Sequence, residues 1–302
     1  MRIWADPREE QIGTEEETMD IERFIIIANR DKDRDQAFSM KICQFLEDRG
    51  KTCLIAYSDQ ERQEIKKTLH RGTDCLLVLG GDGTVLEAAH IASGSGTPIL
   101  GINIGNLGYL AEVDSSNWEN ALLRVLDGTY EVETRMMIEG NVSGLGGVYQ
   151  GFGGQALNDI VITRGGDLQV LHYNVYIGGK FLNRFSADGV IVSTATGSTA
   201  YSMSAGGPIV EPTARLILLT PISPHTLNNR SIVLAADDQV TIEMIPPRSG
   251  GTLNARCFFD GSAGIQLKGG DKINVCRSSG TTRLIRISRQ SFLETLHRKM
   301  MP

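Results

Sequence analysis

The stretch LLVLGGDGTVLEAAH, residues 76–90, decides the fold. Four apolar residues, Leu76 to Leu79, have the composition of a buried strand. Gly80-Gly81-Asp82-Gly83-Thr84 ends that run, and a helical pattern begins directly after it. Glycines let a backbone approach a ligand closely, and a strand-to-helix turn presents free N–H groups to anions. Asp82 is itself an anion, so the turn carries a base or a hydrogen-bond acceptor in addition to a phosphate cradle.

The pattern repeats on either side of that turn. Phe24–Ala28, Thr52–Tyr57, Cys75–Leu79 and Pro98–Ile102 read as strands. The segment around Phe38–Leu46 (stopped by Gly50), a polar stretch to about His70, the residues after Thr84, and Trp118–Leu126 read as helices, the last capped by Ser115 or Ser116. Short apolar strands alternating with helices imply a Rossmann-like parallel sheet covered on both faces, with ligands at the carboxyl ends of its strands. From about Thr134 glycine and β-branched runs dominate: Asn174–Ile177, Gly189–Val192, Ser231–Leu234, Gln239–Ile245, Lys272–Val275 and Arg283–Ile287, with a tight turn at Gly178-Gly179. These imply an all-β C-terminal domain. A last helix, Gln290–Met300, is expected to pack back onto the first domain. The divisions expected are an acidic flexible leader 1–22, an α/β domain 23–132, a β-rich domain 133–287 and the returning helix 288–302.

Composition narrows the function. The chain has 302 residues, 41% hydrophobic and 22% charged, the profile of an ordinary globular protein. Residues 1–22 hold eight acids and two arginines, a balance of −6 that equals the net charge of the whole chain, so the remaining body is neutral. A neutral body lacks the basic face of a nucleic-acid binder. No apolar run is long enough to span a bilayer, and the N-terminus lacks the features of a signal peptide. The five cysteines, 43, 53, 75, 257 and 276, read as buried free thiols in a reducing cytoplasm.

A second stretch, residues 187–210 (ADGVIVSTATGSTAYSMSAGGPIV), brings together Asp188, seven Ser and Thr hydroxyls and one tyrosine. That density suits a pocket for sugars and an amide, or equally a pair of hydroxyl-rich turns. Asn158-Asp159 adds an amide and a carboxylate at the head of an apolar strand, itself an ordinary turn signal.

Together these segments resemble the NAD kinase family. GGDGT is similar to its first motif, Asn158-Asp159 to its short Asn-Glu/Asp motif, and Asp188-Gly189 with TGSTAYSMSAGGPI to its glycine-rich motif. Gly101–Leu110, Pro221–Leu227 and Asp260-Gly261 also match, in family order. The resemblance implies transfer of a phosphoryl group from ATP or polyphosphate to the 2′-hydroxyl of the adenosine ribose of NAD. Mg²⁺ or another divalent metal would sit on the donor phosphates, and the working state would be a homodimer or homotetramer sharing sites. It makes Asp82 the catalytic base and Gly80, Gly81, Gly83 and Thr84 the phosphate-binding loop. Asn158 and Asp159 would hold ribose hydroxyls or base edges. Asp188 would accept from an amide or amino group, in similar enzymes at a neighbouring subunit's site. Tyr109, Thr199, Ala200, Tyr201 and Ser204 would line the dinucleotide pocket with Gly83, and Ser186 and Ser223 would lie nearby; His225 and Gly206-Gly207-Pro208 would be structural. GGDGT also occurs in lipid kinases of the diacylglycerol type, and sugar kinases like phosphofructokinase have a similar glycine-rich motif. A non-catalytic NAD-binding regulator would need the pocket without the base.

Overall fold

The computed structural model describes residues 14–15, 21–70, 74–105, 108–144, 153–166, 169–225, 230–247, 253–262, 264–288 and 291–300. Most of the leader, with Asn106, Leu107, Thr226 and Leu227 of the quoted motifs, lies outside the described residues.

The first unit alternates β1 (Arg23–Ala28), α1 (Ala37–Glu47), β2 (Thr52–Ala56), α2 (Asp59–Thr68), β3 (Asp74–Gly80), α3 (Asp82–Ala92), β4 (Ile99–Asn103) and α4 (Trp118–Leu126). Its strands pair in parallel in the order β2-β1-β3-β4. Strand side chains alternate between faces. Phe24, Ile26 and Ala28 therefore pack with Ile42 and Leu46 of α1 and Leu122 of α4. Ile25 and Ile27 pack with Val85, Ala88 and Ile91 of α3. The helix 118–126 is present, but its cap differs from expectation. Ser115–Asn117 form a 3-10 turn, and Asp114 caps that turn through the Ser116 amide.

The second unit contains β5 (Glu131–Ser143), β6 (Asp159–Arg164), β7 (Leu171–Ile177), β8 (Lys180–Ala187), β9 (Gly189–Thr194), α5 (Tyr201–Ser204), β10 (Leu216–Ile222), β11 (Ile232–Ala235), β12 (Val240–Met244), β13 (Ala255–Phe259), β14 (Ile265–Leu267) and β15 (Lys272–Arg286), followed by α6 (Phe292–Met300). A six-stranded sheet, β11-β10-β9-β6-β13-β14, faces the β8-β7-β12-β15 end of the larger sheet, and Ile162, Val190, Val192, Tyr173 and Val275 fill the space between. The hairpin turn at Gly178-Gly179 has positive φ at both residues, 54° and 76°, which glycine supplies without strain.

The two runs expected at Lys272–Val275 and Arg283–Ile287 are one strand. The Arg-Ser-Ser-Gly between them is a bulge where the pairing with β5 shifts register. Strand β15 pairs with β12 at one end and in parallel with β4 at the other. A single twelve-stranded sheet thus runs through both units, and the 132/133 division falls inside β5. The leader also meets the body. Thr14 and Glu15 pair with Glu133 and Val132, and Ile21 is buried in the core of the first unit.

The cysteines need one correction. Cys43 on α1 and Cys53 on β2 form a disulfide, with Cα atoms 5.3 Å apart. The helix returns into the adjacent strand after a short loop, which brings together two residues that spacing alone does not pair. Cys75, Cys257 and Cys276 are free, and burial pushes the Cys257 thiol up to about 12.

Candidate functional site

All of β3 is buried, and it delivers Gly80-Gly81 to the start of α3. A side chain on Gly80 would collide with Thr84, so the turn closes only with glycine there. Gly81 caps α3 without a side-chain hydrogen bond; the Thr84 amide donates to the Gly81 carbonyl at 3.0 Å, and the Asp82 and Gly83 amides have no acceptor among the described residues. Asp82 turns away from those amides. Its carboxylate accepts the Tyr109 amide at 2.8 Å and the Leu110 amide at 3.0 Å. Gly108 lies so close to that carboxylate that any Cβ would overlap it. Asp82 therefore fixes the loop 108–110, an acceptor role that reaches beyond its own turn. At the neighbouring strand end, Asn103 donates to the Gly105 carbonyl at 2.9 Å, and its buried Oδ1 has no donor among the described residues.

A second carboxylate organises the Asn158-Asp159 pair. Asp260, with a side chain 1% exposed, accepts the amides of Leu157, Asn158 and Asp159 at 2.7, 2.8 and 3.0 Å. Its other contact is His90 Nε2 on α3, at 3.0 Å. Burial, with Asp260 beside it, pushes the Asp159 carboxyl up to about 7. Gly197 sits directly on the Asn158 carbonyl with no room for a side chain, and Thr194 donates its amide to the same carbonyl at 2.9 Å. The Thr196–Thr199 turn is therefore seated on Asn158.

The hydroxyl-rich stretch divides in two. Ser193, Thr194, Thr196, Ser198 and Ser202 are buried, and the last four bond within the fold: Thr194 to the Leu157 carbonyl at 2.5 Å, Thr196 to the Arg135 guanidinium at 3.1 Å, Ser198 to Val210, Ser202 to Thr220 at 3.1 Å. Thr199 and Ala200 are half-buried, and Tyr201 and Ser204 are exposed. Of the hydroxyl groups in this stretch, those of Thr199, Tyr201 and Ser204 are the ones not buried. Gly206, at φ 87°, and Gly207, packed on Ser202, turn the chain after α5.

Asp188, Ser186, Ser223 and His225 gather elsewhere. Asp188 pairs with Arg164 at 3.2 Å, Ser186 bonds His172 Nδ1 at 2.8 Å, and His225 donates its amide to the Ser186 carbonyl at 2.8 Å. Ser223 has φ 45° at the end of β10. Ser193 pairs with Asp159 at one end of β9, while Gly189, next to Asp188, pairs with Thr163 and Ile222 at the other. Five residue steps along a strand put Asp188 roughly 16 Å from Asp159. The structure does not bring the Asp188 cluster and the Asn158-Asp159 cluster together in one copy.

A cavity of about 710 Å³ opens between the Gly108–Ala111 loop, the Thr196–Thr199 turn and α6; Tyr109 and Thr199 both line it. Its floor is a chain of ion pairs absent from the sequence reading. Arg286 reaches Glu112 at 2.7 Å and Glu133 at 3.1 Å, and Arg135 pairs with the same Glu133. Burial pushes the Glu133 carboxyl up, but Arg135 and Arg286 outweigh that and hold it below the usual carboxylate range. Glu133 and Arg135, two residues apart on β5, were the available signal. On α6, Lys299 stacks its ammonium 4.1 Å from the Tyr109 ring centroid, which sets the helix against the first unit as expected.

Comparison with known proteins gives a consistent picture. Residues 32–130 match the family model described as the ATP-NAD kinase N-terminal domain, and residues 157–287 the ATP-NAD kinase C-terminal domain. The chain is 44% identical over 297 residues to an NAD kinase of Lachnospira eligens, covering 92% of this chain and 99% of that one. It is 41% identical over 286 residues to an NAD kinase of Agathobacter rectalis, covering 93% and 99%. Among solved structures, yeast NADH kinase complexed with NADH superposes with a TM-score of 0.76 at 23% identity, covering 92% of this chain and 86% of that one. An NAD kinase from Archaeoglobus fulgidus in complex with ATP gives 0.71 at 22%, covering 92% and 98%.

Proposed function

The chain belongs to the NAD kinase family, and from that premise we propose that Asp82 is the base in transfer of the ATP γ-phosphoryl group to the 2′-hydroxyl of the adenosine ribose of NAD. The lipid-kinase, sugar-kinase and non-catalytic readings find no support. As the ribose oxygen bonds to phosphorus, the γ-phosphorus bond to the ADP oxygen breaks, and the hydroxyl proton passes to Asp82; the products are NADP and ADP. One observation carries the assignment. The Tyr109 and Leu110 amides hold the Asp82 carboxylate in one orientation at the start of α3, and each of its oxygens keeps a further lone pair for the hydroxyl.

The other roles follow from what surrounds that carboxylate. Gly80, Gly81, Gly83 and Thr84 form the loop that holds the donor phosphates, with the amides of Asp82 and Gly83 as its open donors. Asn158 and Asp159 hold the ribose hydroxyls. Tyr109, Thr199, Ala200, Tyr201 and Ser204 line the dinucleotide. Their support is two sets of contacts facing one cavity: Asp82 with loop 108–110 on one side, and on the other the Thr196–Thr199 turn seated on Asn158, which Asp260 and His90 of α3 hold in turn.

Among the described residues no cluster of three or more acid, His or Cys side chains could hold a metal. The residues fit a divalent ion as a companion of the donor phosphates, with Asp82 as the carboxylate at that turn; such an ion, Mg²⁺ for example, offsets phosphate charge. The distance of Asp188, Ser186 and Ser223 from Asp159 supports their serving the site of a second copy, in a dimer or tetramer. No described helix is long and apolar enough to cross a membrane, and the cytoplasm is the compartment we propose. The test is purified protein with NAD, Mg²⁺ and either ATP or polyphosphate, scored for NADP. Absence of NADP with every donor would refute the reading.

A further inference from the structure

We propose that Lys32 binds the phosphoryl oxygens of the donor and holds them over the Gly80–Thr84 turn. The proposal rests on the phosphotransfer reading above and adds a cation that lies outside every motif used so far.

The first argument is topological. In the order β2-β1-β3-β4 the chain leaves β1 to one side for β2 and crosses to the other side for β3. The crevice at the carboxyl ends of β1 and β3 is thus the switch point of an open parallel sheet, where such sheets hold their ligands. Its two lips are the loop after β1 and the turn after β3. Asp82 stands on one lip and Lys32 on the other.

The second argument is the placement of the side chain. The Asn29 amide donates to the Leu79 carbonyl at 2.8 Å, which ties the first lip to β3. Asn29 Oδ1 accepts the amides of Asp31 and Lys32 at 3.1 and 3.2 Å. Buried Asp33 then accepts the Phe38 and Ser39 amides and fixes the entry to α1. From this held backbone Lys32 crosses the crevice. A Cβ on Gly105 would lie 3.0 Å from Lys32 Nζ, and one on Gly81 would lie 3.7 Å from it. The ammonium therefore sits between the glycine turns that follow β3 and β4, in space that side chains at those positions would fill.

The third argument is charge. Among the described residues no carboxylate pairs with Lys32 Nζ. The Asp82 carboxylate across the crevice is occupied with two amides. A donor phosphate at the open start of α3 brings two or more negative charges beside Asp82. A compact, exposed ammonium with three rotatable donors suits a point contact with such a group.

The test compares Lys32→Met and Lys32→Arg with the parent protein. Lys32→Met is expected to raise the KM for ATP about 10- to 100-fold, the effect of losing one charge-assisted hydrogen bond, with the KM for NAD within about twofold. Lys32→Arg is expected to recover most of the ATP affinity. An unchanged ATP KM in Lys32→Met overturns the proposal, as does an equal rise in both KM values. The parent protein supplies a measurement that needs no variant: limited acetylation with a water-soluble anhydride, read by mass spectrometry. ATP is expected to protect Lys32 and NAD to leave it reactive; modification unaffected by ATP overturns the proposal. This readout is independent of turnover. If the parent makes no NADP, the phosphotransfer reading fails while ATP protection of Lys32 still answers the question.

Discussion

Replacing Asp82 with asparagine separates the loop contact that the structure shows from the base role proposed for this side chain. The carboxylate accepts the Tyr109 amide with one oxygen and the Leu110 amide with the other. Asparagine keeps one oxygen, so one of the two amides must face an NH₂ donor. Loss of one charge-assisted hydrogen bond costs about 1.5–3 kcal/mol. At about 2–4 °C per kcal/mol, the melting temperature of a chain of this size should fall by roughly 3–12 °C. That cost alone would not inactivate the enzyme, because a domain stable by about 5–15 kcal/mol stays folded at 25 °C after losing it. Loss of the base is separate and larger, about 10²- to 10⁴-fold in turnover. The assay measures NADP formation, NAD affinity and melting temperature on one preparation. The expected variant is folded, binds NAD and is at least 100-fold slower. A variant with the predicted melting shift but more than a tenth of parental turnover would reduce Asp82 to a loop anchor and refute its role as base.

Four further outcomes follow from the same structure. Asp260→Asn should raise the KM for NAD more than it lowers turnover, because the Leu157–Asp159 amides lose their acceptor and Asn158 and Asp159 shift; unchanged NAD affinity would remove Asp260 from the support of the site. Asp159 holds its proton to about pH 7 when folded and releases it near pH 4 when unfolded. Its contribution to stability is therefore greatest below about pH 4 and is lost as pH rises to 7, so the melting temperature of Asp159→Asn should gain on the parent over that window; a constant difference would contradict the shift. Cys43→Ser opens a ten-residue loop and should cost up to about 3 kcal/mol in denaturant unfolding, and thiol titration of the unfolded, unreduced parent should find three thiols. Deleting residues 1–13 should leave turnover near normal, whereas deletion through residue 22 removes buried Ile21 and should lower the melting temperature; equal melting temperatures would show that the core does not need Ile21.

The parallel sheet was readable in the sequence because β1, β3 and β4 are buried on both faces and therefore read as continuous apolar runs, Phe24–Ala28 and Leu76–Leu79 above all. The turn at Gly80–Thr84 was readable because its glycines interrupt an apolar strand immediately before a helical pattern. Less readable was anything fixed by non-local pairing. Strand β15 is split in sequence by Arg-Ser-Ser-Gly and made whole only by the partner strand that tolerates the bulge. Among the hydroxyls of residues 193–204, composition could not distinguish Ser198 and Ser202, which are buried and bond inside the fold, from half-buried Thr199 and exposed Ser204. Asp260 was visible only as part of a motif. Its work, capping three consecutive amides about a hundred residues away, depends on a strand crossing that no local pattern encodes.

The continuous sheet also constrains how the site can exclude water during transfer. In many two-domain enzymes the domains close on a hinge. Here β5 and β15 pair antiparallel along nearly their whole lengths, and β15 also joins β4 of the first unit to β12 of the second. Rotation of one unit against the other would have to break that ladder or shear the buried ion pairs of Arg286 with Glu112 and Glu133. Both alternatives expose buried backbone or charge and cost several kcal/mol. The small elements at the rim have no such restraint. None of the α6 side chains is buried, and Leu293 and Met300 are each 68% exposed, so that helix can shift at little cost. Its Lys299 already lies over Tyr109, the residue whose amide holds Asp82. The twelve-stranded sheet therefore holds β3, which delivers the Asp82 turn, in fixed relation to β5 and β15, a restraint that α6 at the rim does not share.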